Sequence, residues 1–133
     1  MKDSVMEVMF SAIGERPARA LEISRPLWEE RAGSLPFSSG DFRLVYTCDL
    51  LVHVALSDLL RLCAEMVRIS NEYIGCVETF SSAGDSFWND VGRFCHYHFP
   101  NLELVAGGVL SGEGQESVRW WVFRKPTFKT GSI

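Results

Sequence analysis

No stretch of this chain approaches the roughly 18 consecutive apolar residues of a membrane-spanning helix, so no membrane association is expected. The opening Met1-Lys2-Asp3-Ser4 also lacks the unmixed basic charge of a signal peptide, and the short apolar stretch behind it is interrupted by Glu7. A cytoplasmic protein is the expectation. Positive charge is not in excess either. Thirteen Lys and Arg stand against seventeen Asp and Glu, a net charge of −4, which excludes a general nucleic-acid binder that relies on neutralising phosphates. Arg119, Arg124, Lys125 and Lys129 make the C-terminal end locally basic, as a solvated strand end and tail would be. Close cysteine pairs are missing as well. Cys48, Cys63, Cys76 and Cys95 lie 15, 13 and 19 residues apart, unlike zinc ribbons or redox motifs, and each falls in an apolar run, where a thiol packs as a small hydrophobe. There is no Gly-x-Ser-x-Gly elbow. Gly107-Gly108 and Gly112-x-Gly114 interrupt strands rather than open a helix, so they make turns, not a phosphate cradle.

What is present is core-forming material. With 133 residues and 47% hydrophobic content, the chain is sized for a single domain, 1–133. Its strongest signal is strict alternation from Phe42 to Leu56, with Phe42, Leu44, Tyr46, Cys48, Leu50, Val52, Val54 and Leu56 on one parity. At about 3.3 Å per residue this segment would reach about 50 Å if straight, longer than the roughly 36 Å diameter of a domain this size. It must therefore bend, or reverse over three residues, near Cys48–Leu50, and the absence of Gly and Asn there favours the bend.

Around it the pattern predicts a strand over Val5–Ile13, broken at Gly14, and a helix in two pieces over Ala18–Ala32, with Ser24 capping a new turn before Pro26. Ser34–Asp41 reads as a loop. Ser57 is placed to cap the best helix, in which Leu59, Leu62, Cys63, Met66 and Ile69 recur at helical spacing. A strand over Glu72–Phe80, a helix over Ser86–His98 ended by Pro100, and two strands over Leu102–Leu110 and Ser117–Arg124 complete the order. The fold class is α+β with an α/β-like order: one mixed sheet of about five to six strands, packed with two to three helices and ending in an antiparallel hairpin.

Chemistry is harder to find. Cys95-His96-Tyr97-His98 is the densest group of potential metal ligands, and His96 and His98 would share a face on a strand, as in His-hydrophobic-His nucleases. Two ligands make no site, however, and histidines at a helix C-terminus are explained by the dipole, so no metal is assigned. Asp85 and Asp90 read as helix-start acids. No catalytic residue and no cofactor are assigned.

The last strand is apolar on both sides: Val118, Trp120 and Val122 point one way, Arg119, Trp121 and Phe123 the other. Each face needs a helical layer or a partner, and the Ala18–Ala32 pieces are the expected cover for the Trp121 side. Trp28, Arg119, Trp121 and Phe123 are the candidate binding residues, since tryptophan and arginine are favoured interface anchors.

From Ser57 onward the order helix, strand, helix, terminal hairpin is similar to the C-terminal half of GNAT acyltransferases, the initial strand plus broken helix also fits, and the resemblance covers about three-quarters of the chain. It implies an acyl-CoA pyrophosphate loop near Val54-Ala55-Leu56-Ser57-Asp58-Leu59-Leu60. That stretch has no glycine and carries Asp58, which would repel phosphates, so such a fold would be degenerate. The leading expectation is a non-enzymatic protein-binding module: an inhibitor, an immunity-type factor, or an accessory protein of a virus or mobile element. It would act through its aromatic patch on another protein or on a second copy as a homodimer. A GNAT-like acyl-CoA binder is the alternative.

Overall fold

A computed structural model of the chain describes residues 2–15, 17–31, 34–81, 98–111 and 116–126. The first element is a helix, α1 (Lys2–Ile13), where alternation predicted a strand. Met6, Met9, Phe10 and Ile13 satisfy helical spacing equally well, and all four pack into one apolar cluster, so tertiary contact decides between the two periods. Gly14, at φ +90°, ends the helix in the left-handed conformation, and its N–H donates to Phe10 O at 2.9 Å.

The expected first helical piece is instead a short strand, β1 (Ala20–Glu22), followed by α2 (Arg25–Arg31). Ser24 does cap α2: its Oγ accepts from Leu27 N–H at 3.3 Å. Next come β2 (Phe42–Cys48), a single 3-10 turn at Leu51–His53, and α3 (Leu56–Ile69). The long alternating run therefore bends directly after Cys48, as its length requires, but continues as a turn and helix rather than as strand. Ala55, not Ser57, occupies the cap position of α3, with no side-chain capping bond. Strands β3 (Ser70–Ser81), β4 (Glu103–Ser111) and β5 (Glu116–Arg124) follow among the described residues. The helix expected over 86–98 lies outside the described residues except at His98.

The five strands form one mixed sheet in the order β1-β2-β3-β5-β4. β1, β2 and β3 run parallel, while β5 is antiparallel to both β3 and β4. On one face, α2 and α3 bury Ile23, Trp28, Val45, Leu62, Met66, Ile74 and Phe123. On the other, α1 sets Met9 against Leu44, Tyr46, Tyr73, Val77, Val118 and Val122. Gly75 in β3 is the seat of this contact, because a Cβ there would lie 2.9 Å from Met9 Sδ and 3.2 Å from Tyr46 Cβ. Cys63 and Cys76 are buried and Cys48 is half-buried, as apolar packing predicted, while Cys95 lies outside the described residues.

Ion pairs fasten the loops to this frame. Arg68 of α3 donates to Glu65 at 2.5 Å and to the carbonyls of Phe37 and Leu35 at 2.7 and 3.2 Å, and Glu65 accepts Leu35 N–H at 2.9 Å. The Arg68 guanidinium, outweighing desolvation, holds the Glu65 carboxyl below its ordinary range. Arg43 bridges Glu72, at 2.7 Å, and Glu15, joining β2 to β3 and to the end of α1.

Candidate functional site

The carboxyl ends of β1 and β2 lie side by side, since the two strands are parallel and in register from Ala20↔Leu44 to Glu22↔Tyr46. Ile23 N–H extends the pairing by donating to Tyr46 O at 2.9 Å, and Ser24 then starts α2 at once. At the end of β2 the backbone turns sharply: Asp49 sits at φ +53°, and among the described residues it is the only non-glycine at positive φ. Aspartate tolerates this region better than most residues, yet such conformations cluster at functional sites. Asp49 N–H is held by Val77 O at 2.8 Å, and the buried Leu50 and Leu51 anchor the start of the 3-10 turn.

These departures leave a cleft of about 400 Å³ between α2 and the 50–61 segment. Trp28, Leu50 and Val54 give it apolar walls, while His53, Asp58 and Arg61 line it with polar groups. Arg25 and Glu29, also on the lining, are paired at 2.7 Å along α2. Asp58 lies in the first turn of α3, where the helix dipole favours a carboxylate. The cleft thus combines a hydrophobic wall with both signs of charge, suited to a small zwitterionic or polar-apolar ligand.

Farther along β3, Glu78 is the one fully buried carboxylate among the described residues, and its register partner on β5 is Arg119. Thr47 of β2 is likewise fully buried, and its Oγ1 has no hydrogen-bond partner among the described residues. At the opposite end of the sheet a second cleft, of about 780 Å³, lies beside Arg68, His98, Phe99 and Lys125. Lys125 closes off the last turn of α3, its Nζ donating to Val67 O and Ser70 O at 2.7 Å each. Desolvation lowers its pKa from the ordinary lysine value.

Of the four residues singled out from sequence, only Trp28 reaches the first cleft, and it does so from the core, with 8% of its surface exposed. Phe123 is buried in the same apolar cluster, and Trp121 packs against it half-exposed. Arg119 is half-buried opposite Glu78. As expected, residues of the 18–32 region, together with α3, cover the Trp121 side of the sheet. The opposite face is covered by α1. The two indoles of β5 also have seats on β4: a Cβ on Gly108 would lie 3.0 Å from Trp120 Nε1, and one on Gly107 would lie 3.5 Å from Trp121 Cδ1. The paired glycines of β4 leave room for the paired tryptophans of β5. His53, Asp58 and Arg61 were not found as a group because nothing in their spacing links them to α2; the signal that existed was Asp49 breaking an apolar run. No group of three potential metal ligands occurs among the described residues, and His96 lies outside them.

No protein-family model matches the chain, and no curated protein does. Solved structures do resemble it. Magnesium protoporphyrin IX methyltransferase (ChlM) of Synechocystis PCC 6803, solved with bound SAM, superposes with a TM-score of 0.61 at 12% identity, over 93% of this chain and 77% of that one. The cyclase SpnF gives 0.57 at 13% identity over 73% of this chain and 54% of that one. MccD protein gives 0.50 at 14% identity, over 72% and 65% respectively. The chain thus spans about half to two thirds of the length of SpnF and MccD. The likeness shows the fold: a Rossmann-like sheet of the methyltransferase type. It overturns both functional expectations, because the neighbours that are named by activity are enzymes, not inhibitors or immunity proteins, and their fold is not that of a GNAT acyltransferase. The acyltransferase resemblance rested on element order, and it fails at the first element, which is a helix.

Proposed function

We propose that the chain carries the ligand site of an S-adenosylmethionine-dependent methyltransferase-type enzyme, located at the carboxyl ends of β1 and β2. One observation carries the reading: a cleft of small-molecule size opens where α2 and α3 depart from two adjacent parallel strands. Open α/β sheets take their ligands at this end of the strands. The fold likeness to an enzyme solved with SAM supports the same reading.

The residues present fit that cofactor. Its adenine needs an apolar wall, which Trp28, Leu50 and Val54 provide. Its ammonium and ribose hydroxyls need carboxylate acceptors, which Asp58 and Glu29 offer, and its carboxylate can meet Arg61. When bound, the group supplies an electrophilic methyl on a positively charged sulfur. His53, exposed at the cleft, is placed to accept a proton from an attacking nucleophile.

Titration of the purified chain with S-adenosylmethionine and with S-adenosylhomocysteine tests this. Both should bind and raise the melting temperature by mass action, whereas acetyl-CoA should not. Asp58→Lys should weaken binding at least about tenfold, the loss of roughly one charge-assisted hydrogen bond. Absence of binding by both adenosyl compounds would refute the assignment.

A further inference from the structure

We propose that the cleft beside Lys125 binds a small organic anion, a carboxylate carried on an apolar body. The cleft lies at the amino-terminal side of β2 and β3, where Phe42 pairs with Ser70, and just past the end of β5. It is separate from the first cleft. α3 reaches both, giving Asp58 and Arg61 to one and Val67 and Arg68 to the other, but among the described residues none lines the two together. At about 780 Å³ the second cleft has room for a small molecule. Among the described residues on its wall, Arg68, His98 and Lys125 are basic and none is acidic. Val67, Phe99, Pro100 and Leu102 add apolar surface.

Lys125 is the anchor. Its backbone N–H donates to Glu72 O at 2.8 Å, and its Nζ gives two of its three protons to Val67 O and Ser70 O, so the ammonium is held in place before any ligand arrives. The negative end of α3 offsets about half a charge. The remainder has no carboxylate within ion-pairing distance among the described residues. Burial lowers the pKa of Lys125, a shift that an adjacent carboxylate would oppose. Arg68, by contrast, is already matched by Glu65. A ligand carboxylate at the third proton of Nζ would balance the charge that the protein leaves open. Asn71, also on the wall, spends one of its two amide donors on Gly40 O and has the other to spare for the second carboxylate oxygen. A phosphate dianion fits less well, because it carries more charge than one partly offset ammonium can balance.

Phenylacetate is the probe, with its neutral amide and inorganic phosphate as comparisons, titrated into the purified full chain and followed by NMR of the backbone amides. Phenylacetate should bind at one site with a dissociation constant of about 1 mM or lower, and phenylacetamide and phosphate at least about tenfold more weakly. Lys125→Met should abolish binding. Because that change also removes two bonds to α3, Ser39→Glu tests the site independently: it adds a carboxylate to the exposed wall of the cleft and should weaken binding about tenfold. Leu60→Glu adds the same charge on the exposed side of α3, outside the cleft, and should leave binding unchanged. No saturable binding of phenylacetate, equal binding of its amide, tighter binding of phosphate, binding that survives Lys125→Met or Ser39→Glu, or binding lost with Leu60→Glu would each overturn the proposal.

Discussion

The contact between α1 and the sheet can be tested at one point, where Met9 lies over Gly75. A methyl group added at Gly75 would stand 2.9 Å from Met9 Sδ, 3.2 Å from Tyr46 Cβ and 3.6 Å from Leu44 Cδ1. The thioether can swing away at small cost, but Tyr46 Cβ is fixed to the neighbouring strand. Overpacking of this kind costs about 1–3 kcal/mol, and replacing glycine by alanine returns about 0.4–1 kcal/mol from the unfolded chain. Gly75→Ala should therefore destabilise by about 1 kcal/mol. Met9→Ala, which removes a fully buried side chain, should cost about 3 kcal/mol through lost burial and a cavity. The double variant decides the matter. With the thioether gone, the new methyl enters vacated space, so Gly75→Ala should become neutral or stabilising, a favourable coupling of about 1 kcal/mol. Urea unfolding monitored by tryptophan fluorescence gives all four stabilities. Strictly additive losses would show that α1 does not seat on β3 at this residue, and the helical cover of that face would be wrong.

The same packing sets other outcomes. Gly108→Val should displace the Trp120 indole, shifting its fluorescence emission and costing about 1–3 kcal/mol by overpacking. Glu65 has a carboxyl pKa below its ordinary 4.5, so the stability it contributes is present above that value and is lost as pH falls through the lowered one. Glu65→Gln should accordingly flatten the decline of stability below about pH 4.5, seen in melts across a pH series; an unchanged acid limb would deny Glu65 that role. Lys125→Met removes the two bonds to the end of α3 and should lower stability by about 1–3 kcal/mol at neutral pH, measurable by the same urea titration.

Much of the sheet was legible in the sequence because β2, β3, β4 and β5 carry alternation, or runs of β-branched and aromatic residues, bounded by turn residues. α3 was legible from its period of 3.6, and the bend after Cys48 from chain length alone. The first element was not. Met6, Val8, Phe10 and Ala12 alternate while Met6, Met9, Phe10 and Ile13 form a helical stripe, and a nine-residue window cannot separate the two periods. That single ambiguity propagated: with α1 read as a strand, one helix fewer was counted to cover the two apolar faces of β5, and the surplus aromatic surface of Trp121 and Phe123 suggested a partner. The cleft was hidden for a different reason. Trp28 and Asp58 are brought together by the parallel pairing of β1 with β2, a contact between elements distant in sequence that no local pattern encodes.

The placement of β5 bears on how the chain reaches its native state. It is the last of the five strands in sequence order, yet it lies between β3 and β4 and pairs with both along most of its length. During synthesis, β3 and β4 can emerge with no strand to join them until residue 124 clears the ribosome. The half-built sheet would then show β3 as a bare edge, and the interval before β5 arrives is when chaperone capture or aggregation would compete with folding.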